Sequence, residues 1–417
     1  MHAGEFGRAA AAAAGREDGA ALAQLLSLHA SATRRCCARI DDPASLGTAL
    51  RVAAPWGDIL APYLAAGAAL FHADARRRAP ADAWRTAHEA MERAVAAFLR
   101  YFANLAPGRW ALPALYALLR DAQWVARGAD DAATSAAPDG ALPTQKYTEA
   151  CARQLNKAFS ACAADRFPGL AQSKKWGAYA IAGQLFRLYF RLKSTALCKN
   201  VLRALHAADL PPLDAYPRAD RVTFAYYVGR LAFLDEDYTK AESSLAAALA
   251  EVPARATRHV ERILLYLVAV RLLRGVRPNR AWLARFPRLD ALYTPLLDAC
   301  WAGDVGAFDA ILAEPATEHT LVRLGLFLAL ERARDVCRTR LFRRVWAVSG
   351  RGTRLRLALF TEALRCARLA PEPVETEWAL ATLIAQGRIK GYLAHERQML
   401  VLSASDPFPH ASLAMLS

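Results

Sequence analysis

Between residues 373 and 402 the apolar pattern changes period, and that change constrains the fold more tightly than any other stretch. Val374, Trp378, Ala381, Leu383 and Ile384 follow an approximately helical spacing. Gly387 sits just past the end of that run, where a left-handed C-cap favours a residue without a Cβ. After it, Ile389 and Leu393 alternate with Arg388, Lys390 and Tyr392, which is the period-two pattern of a strand. His395, Glu396, Arg397 and Gln398 then form a polar break before a second short apolar run, 399–402. A helix, a glycine turn and a basic two-stranded hairpin are therefore expected in that order.

Almost everything upstream is spaced as helix. Leu22, Leu25, Leu26 and His29 begin the pattern, and Trp84, His88, Met91, Val95 and Phe98 continue it. Pro55, Pro62, Pro80 and Pro107 fall between apolar runs. Residues 1–19 read as an alanine-rich disordered tail, 20–127 as an N-terminal helical region, and 128–145, with Pro138, Gly140 and Pro143, as a linker. From 146 to 335 long helices alternate with short breaks. The wording around Gly229, Tyr238, Ala241 and Leu245 matches a tetratricopeptide-type helical hairpin, in which the glycine allows close helix approach. Looser echoes follow Leu197 and Asp304, the latter placed to cap a helix carrying Val305, Phe308 and Leu312. A generic helical bundle is the alternative. Three helices and a hairpin over 336–402 have the size and order of a winged helix, and 403–417 reads as a tail. The expected fold is all-α with a small β-hairpin: a TPR-like helical-repeat solenoid ending in a winged-helix domain.

Composition limits what such a chain does. Lys and Arg number 54 against 39 Asp and Glu, a net charge of +15, which favours nucleic acid or an acidic protein as partner. No window resembles a span of about 20 apolar residues, so membrane insertion is not expected. The eight cysteines include no C-x-x-C pair and no zinc spacing, so buried thiols and an intracellular setting are expected, with no metal. Phosphate-loop, dinucleotide, zinc-protease and nucleophile-elbow motifs are all missing. No catalytic residue and no cofactor are therefore named.

Several strings carry a more specific likeness: SKKWGAYAIAGQLFRLYFRL (173–192), LCKNVLRAL (197–205), VTFAYYVGRLAF (222–233), RILLYLVAVRLLRG (262–275), RLFRRVW (340–346) and IKGYLAHERQMLVLSASDPFP (389–409). In this order they resemble the PCI-domain-containing protein two family, the messenger-RNA export subunits that pair with a larger scaffold at nuclear pores. A signalosome-associated PCI subunit shares much of this wording. The resemblance implies a non-catalytic scaffold and RNA-binding subunit of a nuclear mRNA export complex. Its implied partners are a large scaffold subunit, a small acidic disordered subunit, and RNA or DNA without strong sequence preference. The alternative is a protein-only PCI scaffold associated with the signalosome or the proteasome lid. Nucleus and nuclear pore are the implied location, with the cytoplasm as a second.

The candidate contacts follow from charge and spacing. Arg388, Lys390 and Tyr392 would share one face of the first wing strand, two cations beside an aromatic ring. Seven arginines crowd residues 338–356, among them Arg338, Arg340, Arg343, Arg344 and Arg354. Arg340 and Arg344 lie one helical turn apart, where like charges repel, so a polyanion would relieve the cluster. The alternative is a solvated face. Lys174 and Lys175 open a helix, where cations oppose the dipole, and Arg397 lies at the wing tip. The hairpin edge with Tyr392, Leu393, Met399 and Val401 is the expected partner-docking strand.

Overall fold

The computed structural model describes residues 2–71, 80–138 and 143–409. Two compact units divide the chain, Met1–Phe224 and Ala225–Ser417.

The first unit is helical throughout its described residues: α1 (Ala3–Gly15), α2 (Gly19–Leu25), α3 (Ser31–Cys37), α4 (Leu46–Ala49), α5 (Trp56–Phe71), α6 (Ala81–Asn104), α7 (Leu112–Ala136), α8 (Lys146–Ala163), α9 (Ala178–Arg191) and α10 (Thr195–Ala207). The expected disordered tail is instead α1, which buries Phe6, Gly7, Ala10 and Ala13. Alanine is the best helix former, and Phe6 supplies an anchor that composition alone conceals. A Cβ on Gly7 would stand 2.6 Å from the Leu50 carbonyl, so the helix lies against that backbone. The expected linker is also displaced. Residues 128–136 are the last turns of α7, and Gly128 gives Trp84 room: a Cβ there would meet its ring at 2.2 Å. Asp130 then accepts the Tyr147 and Thr148 N–H groups at 3.0 and 2.9 Å, satisfying the start of α8. Pro138 and Pro143 flank residues 139–142, which lie outside the described residues, as does Gly140.

The boundary between the units falls inside α11 (Arg218–Leu234). In the second unit α12 (Tyr238–Glu251) folds back on the end of α11. Asp237 caps α12 through the Lys240 N–H at 3.0 Å, and Tyr238, Ala241, Leu245 and Ala248 are buried. A Cβ on Gly229 would lie 2.7 Å from Leu245 Cγ, which is the close approach the repeat pattern implies. Then come α13 (Thr257–Leu273), α14 (Arg280–Leu283), α15 (Pro287–Ala302), α16 (Val305–Leu312), α17 (Pro315–Leu324) and α18 (Phe327–Val348). Asp304 caps α16 as expected, and Val305, Phe308 and Leu312 are its buried face.

Helix α18 runs unbroken through the expected 335/336 boundary. No glycine or proline interrupts residues 327–348, so a single rod packs on α13, α15, α16 and α17 and also on α19 (Leu357–Cys366). The repeat part and the winged helix thus share one element. The winged helix continues with β1 (Arg354–Arg356), α19, α20 (Pro373–Ala385), β2 (Gly391–Ala394), a turn at His395–Arg397, and β3 (Met399–Leu402). The sheet has three strands in the order β1-β3-β2, one more than the expected hairpin. Helix α20 ends in a Schellman motif: Gly387 has φ +68, its N–H reaches the Ile384 carbonyl at 2.9 Å, and the Arg388 N–H reaches Leu383 at 2.9 Å. Seven of the eight cysteines are buried, and Cys366 is exposed.

Candidate nucleic-acid interface

Register decides which side chains share a face of the sheet. Arg354 and Tyr392 both stand opposite Val401, Arg356 and Ala394 stand opposite Met399, and Leu355 and Leu393 stand opposite Leu400. Side chains alternate along a strand. One face therefore carries Leu355, Leu393, Leu400 and Leu402 toward the core, and the other carries Arg354, Arg356, Tyr392, Met399 and Val401 outward. Tyr392 is 63% exposed. Arg354 and Arg356 are exposed and have no carboxylate partner among the described residues. The separation of Arg354 from Tyr392 is two strand spacings, roughly 9.5 Å. An aromatic ring and two guanidiniums on one flat face suit base stacking beside phosphate contact. Next to this face, a cavity of about 480 Å³ opens between α19 and the wing, lined in part by Arg356, Arg365, Arg397 and Met399. Arg365 is paired with Glu362 at 2.6 Å, whereas Arg356 and the exposed Arg397 are not paired among the described residues.

The arginines of α18 occupy a different place. Arg338 pairs with Asp335 at 3.4 Å. Arg340 lies over the Trp301 ring at 4.1 Å and donates to the Gly275 carbonyl at 3.2 Å. Arg344 donates to the Trp301 carbonyl at 3.0 Å and to that of Ala302, the C-terminal carbonyls of α15, where a cation complements the helix dipole. Arg343 is exposed and has no partner among the described residues. Burial holds the Arg340 guanidinium below its ordinary pKa, and the nearby charges of Arg343, Arg277 and Arg344 act in the same direction.

Four residues expected at the interface are held elsewhere. Arg388 does not lie on the wing face. It is 4% exposed, donates to the Leu273 carbonyl at the end of α13 at 3.2 Å, and donates to Gln386 Oε1 at 3.1 Å. Lys174 is buried: its Nζ donates to the Ala103 carbonyl at 3.0 Å, its charge sits 5.1 Å from the Phe102 ring, and its stem fills the space left by Gly108. Lys175 is paired with Asp209 at 2.9 Å. Leu393 turns to the core side of the sheet, away from Tyr392, Met399 and Val401. Lys390 is exposed and stands 3.6 Å from Asp406.

Among the described residues no group of three or more His, Cys, Asp or Glu side chains is placed to hold a metal ion. No described helix is long and apolar enough to cross a membrane.

No family model matches the chain. Individual relatives do. The Protein CSN12 homolog of Mycosarcoma maydis is 42% identical over 427 residues, covering 94% of both chains. PCI domain-containing protein 2 of Danio rerio is 33% identical over 319 residues, 76% of this chain and 77% of the relative. Its Drosophila melanogaster homologue is 32% identical over 321 residues, 77% of this chain. The chain belongs to the PCI-domain-containing protein 2 family. For this PCI chain the match to the fungal relative covers 94% of the residues, so it takes in most of each unit.

The PCI winged helix also differs from a DNA-reading one. Helix α20 has the position of a recognition helix, yet it carries no lysine or arginine, and Glu375 closes its N-terminal capping box. Outward it shows Val374 and Trp378, 57% and 71% exposed. In sequence Arg356 stands out only as one of the crowded arginines of 338–356, and its place beside Arg354 on the outer sheet face follows from the strand pairing. Trp301 and Phe408, which face the α18 arginines, carry no local motif and could be found only from the fold.

Proposed function

We propose that this chain is a non-catalytic scaffold and RNA-binding subunit of an mRNA-export complex, acting in the nucleus at the pore. The helical repeats brace the winged helix, and the outward face of the sheet contributes to a basic surface completed by a larger scaffold partner. A small acidic disordered subunit is the other partner this reading expects, and the net charge of +15 suits both an acidic chain and RNA. The observation that carries the reading is the common face of Arg354, Arg356 and Tyr392, with Met399 and Val401 between them. Base stacking on an aromatic side chain with phosphate contacts alongside gives binding that tolerates many sequences and weakens steeply with salt.

The test is the full chain titrated with a fluorescent 20-nucleotide single-stranded RNA across a salt series. Saturable binding with a linear log–log salt dependence, weakened by Arg354→Gln with Arg356→Gln, is expected. No binding at low salt removes the RNA function.

A second reading is favoured by the exposed Val374 and Trp378 on α20. In it the chain is a protein-only PCI scaffold of the signalosome or proteasome-lid kind, and its charge serves the acidic partner alone. That reading predicts no RNA affinity, whereas the first predicts RNA affinity that survives Trp378→Ala.

A further inference from the structure

The α18 arginines line a cavity of about 340 Å³ together with Arg274, Trp301, Arg388 and Phe408. Its size lies within the range of small-ligand pockets, roughly 300–1,000 Å³. Five guanidiniums reach it, from Arg274, Arg340, Arg343, Arg344 and Arg388, and no acidic side chain lines it. Of these, Arg274 is held by Glu242. Arg340, Arg344 and Arg388 bond to neutral oxygens, the carbonyls of Gly275, Trp301, Ala302 and Leu273 and the amide of Gln386.

These bonds fix the guanidiniums without neutralising them. Each guanidinium has five N–H donors and uses one or two here. The Nε groups of Arg274 and Arg340 are buried and have no acceptor at all. Arg388, 4% exposed, brings a charge into the wall that solvent barely reaches. Elsewhere in this unit arginines meet carboxylates: Arg280 and Arg277 meet Asp298, Arg332 meets Glu236, and Arg334 meets Asp309. Of the five cavity arginines, Arg274 alone has such a partner among the described residues. The ring of Trp301 under Arg340, and Phe408 against Trp346 at 5.7 Å, give it rigid aromatic walls.

We propose that this cavity is a binding site for clustered phosphates, taking a compact polyphosphate of small-molecule size, distinct from the outward sheet face. Fixed planar forks around a small volume match the oxygens of adjacent phosphate groups, which single surface lysines do not.

The probe is inorganic tripolyphosphate, measured by calorimetric titration of the full chain at 150 mM salt. Saturable one-site binding is expected. Arg343→Gln, at the exposed rim where folding is not at risk, should weaken it roughly 10-fold or more, and Arg340→Gln with Arg343→Gln should abolish it. Arg354→Gln with Arg356→Gln should leave it unchanged. Equal binding by wild type and the Arg343 variant, or none by wild type, overturns the site. A competition arm separates the phosphate sources: tripolyphosphate retained in saturating single-stranded RNA supports a free polyphosphate ligand. Its displacement assigns the cavity to the RNA backbone and overturns the separate site. Tripolyphosphate binding by a wild-type chain that binds no RNA would sink the functional reading above and leave this one standing.

Discussion

Replacing Arg354 and Arg356 by glutamine removes two charges from the sheet face while leaving the core row of Leu355, Leu393 and Leu400 in place. Both arginines are exposed and unpaired among the described residues, so the fold should tolerate the change. Each phosphate contact on a single strand contributes about 0.7 to the slope of log K against log salt. Two lost contacts should therefore flatten the slope by about 1.4. Between 50 and 200 mM salt the wild type should lose roughly 7-fold more affinity than the double variant. Tyr392→Ala should behave differently. Losing one stacked base costs about 1–3 kcal/mol, roughly 5- to 150-fold in affinity, with the salt slope unchanged because no phosphate contact is removed. Fluorescence anisotropy with a labelled 20-nucleotide RNA at five salt concentrations gives slope and intercept for each variant. Parallel lines for wild type and the arginine variant would refute the assignment, as would a Tyr392→Ala effect confined to the slope.

Three further predictions concern stability. Gly229→Ala places a Cβ 2.7 Å from Leu245 Cγ and 3.1 Å from the Leu245 backbone nitrogen. Overpacking should outweigh the gain in helix propensity, for a net loss of roughly 0.5–2 kcal/mol read from the urea midpoint. Thr361 donates to the fully buried Thr376 hydroxyl at 3.1 Å. Thr361→Val should cost about 1–3 kcal/mol by stranding that hydroxyl, and adding Thr376→Val should recover part of it; an additive double-mutant cycle contradicts the pairing. His88 is buried beside Tyr147, ring centroids 4.9 Å apart, and burial holds its pKa below the ordinary 6.5. Its unfolded form binds the proton first, so stability is full above about pH 6.5 and falls as pH drops below it, by at most ~1.4 kcal/mol per pH unit. Urea midpoints at pH 7.5 and 5.5 should differ less for His88→Gln than for wild type.

What the sequence showed well was local. Gly387 at a helix end, Asp304 as an N-cap, and Gly229 against Leu245 are each decided by residues close by or by one facing helix. Period and capping encode such features directly. The misread segments turn on partners distant in sequence. Alanines of α1 look like a frayed tail until Phe6 is buried, and residues 128–136 look like a linker until Trp84 lies on Gly128. The third strand escaped notice because three residues are too few for alternation to stand out. Its pairing with β3 shows only once the chain is folded.

Charge was the least legible property, because a cation's role depends on what faces it. Arg344, Arg388 and Lys174 look in sequence like Arg354 and Arg356, yet each of the first three donates to backbone carbonyls. Arg344 and Arg388 complete the C-termini of α15 and α13, and Lys174 holds the end of α6 through Ala103. An arginine-rich run can therefore be a set of helix caps without any ligand. Two things here exceed that explanation: outward arginines on a strand, which cap nothing, and a cavity three of whose five guanidiniums are fixed by neutral oxygens. Capping accounts for where Arg340, Arg344 and Arg388 sit. It leaves without cause both their convergence on one volume and the exclusion of acids from its wall.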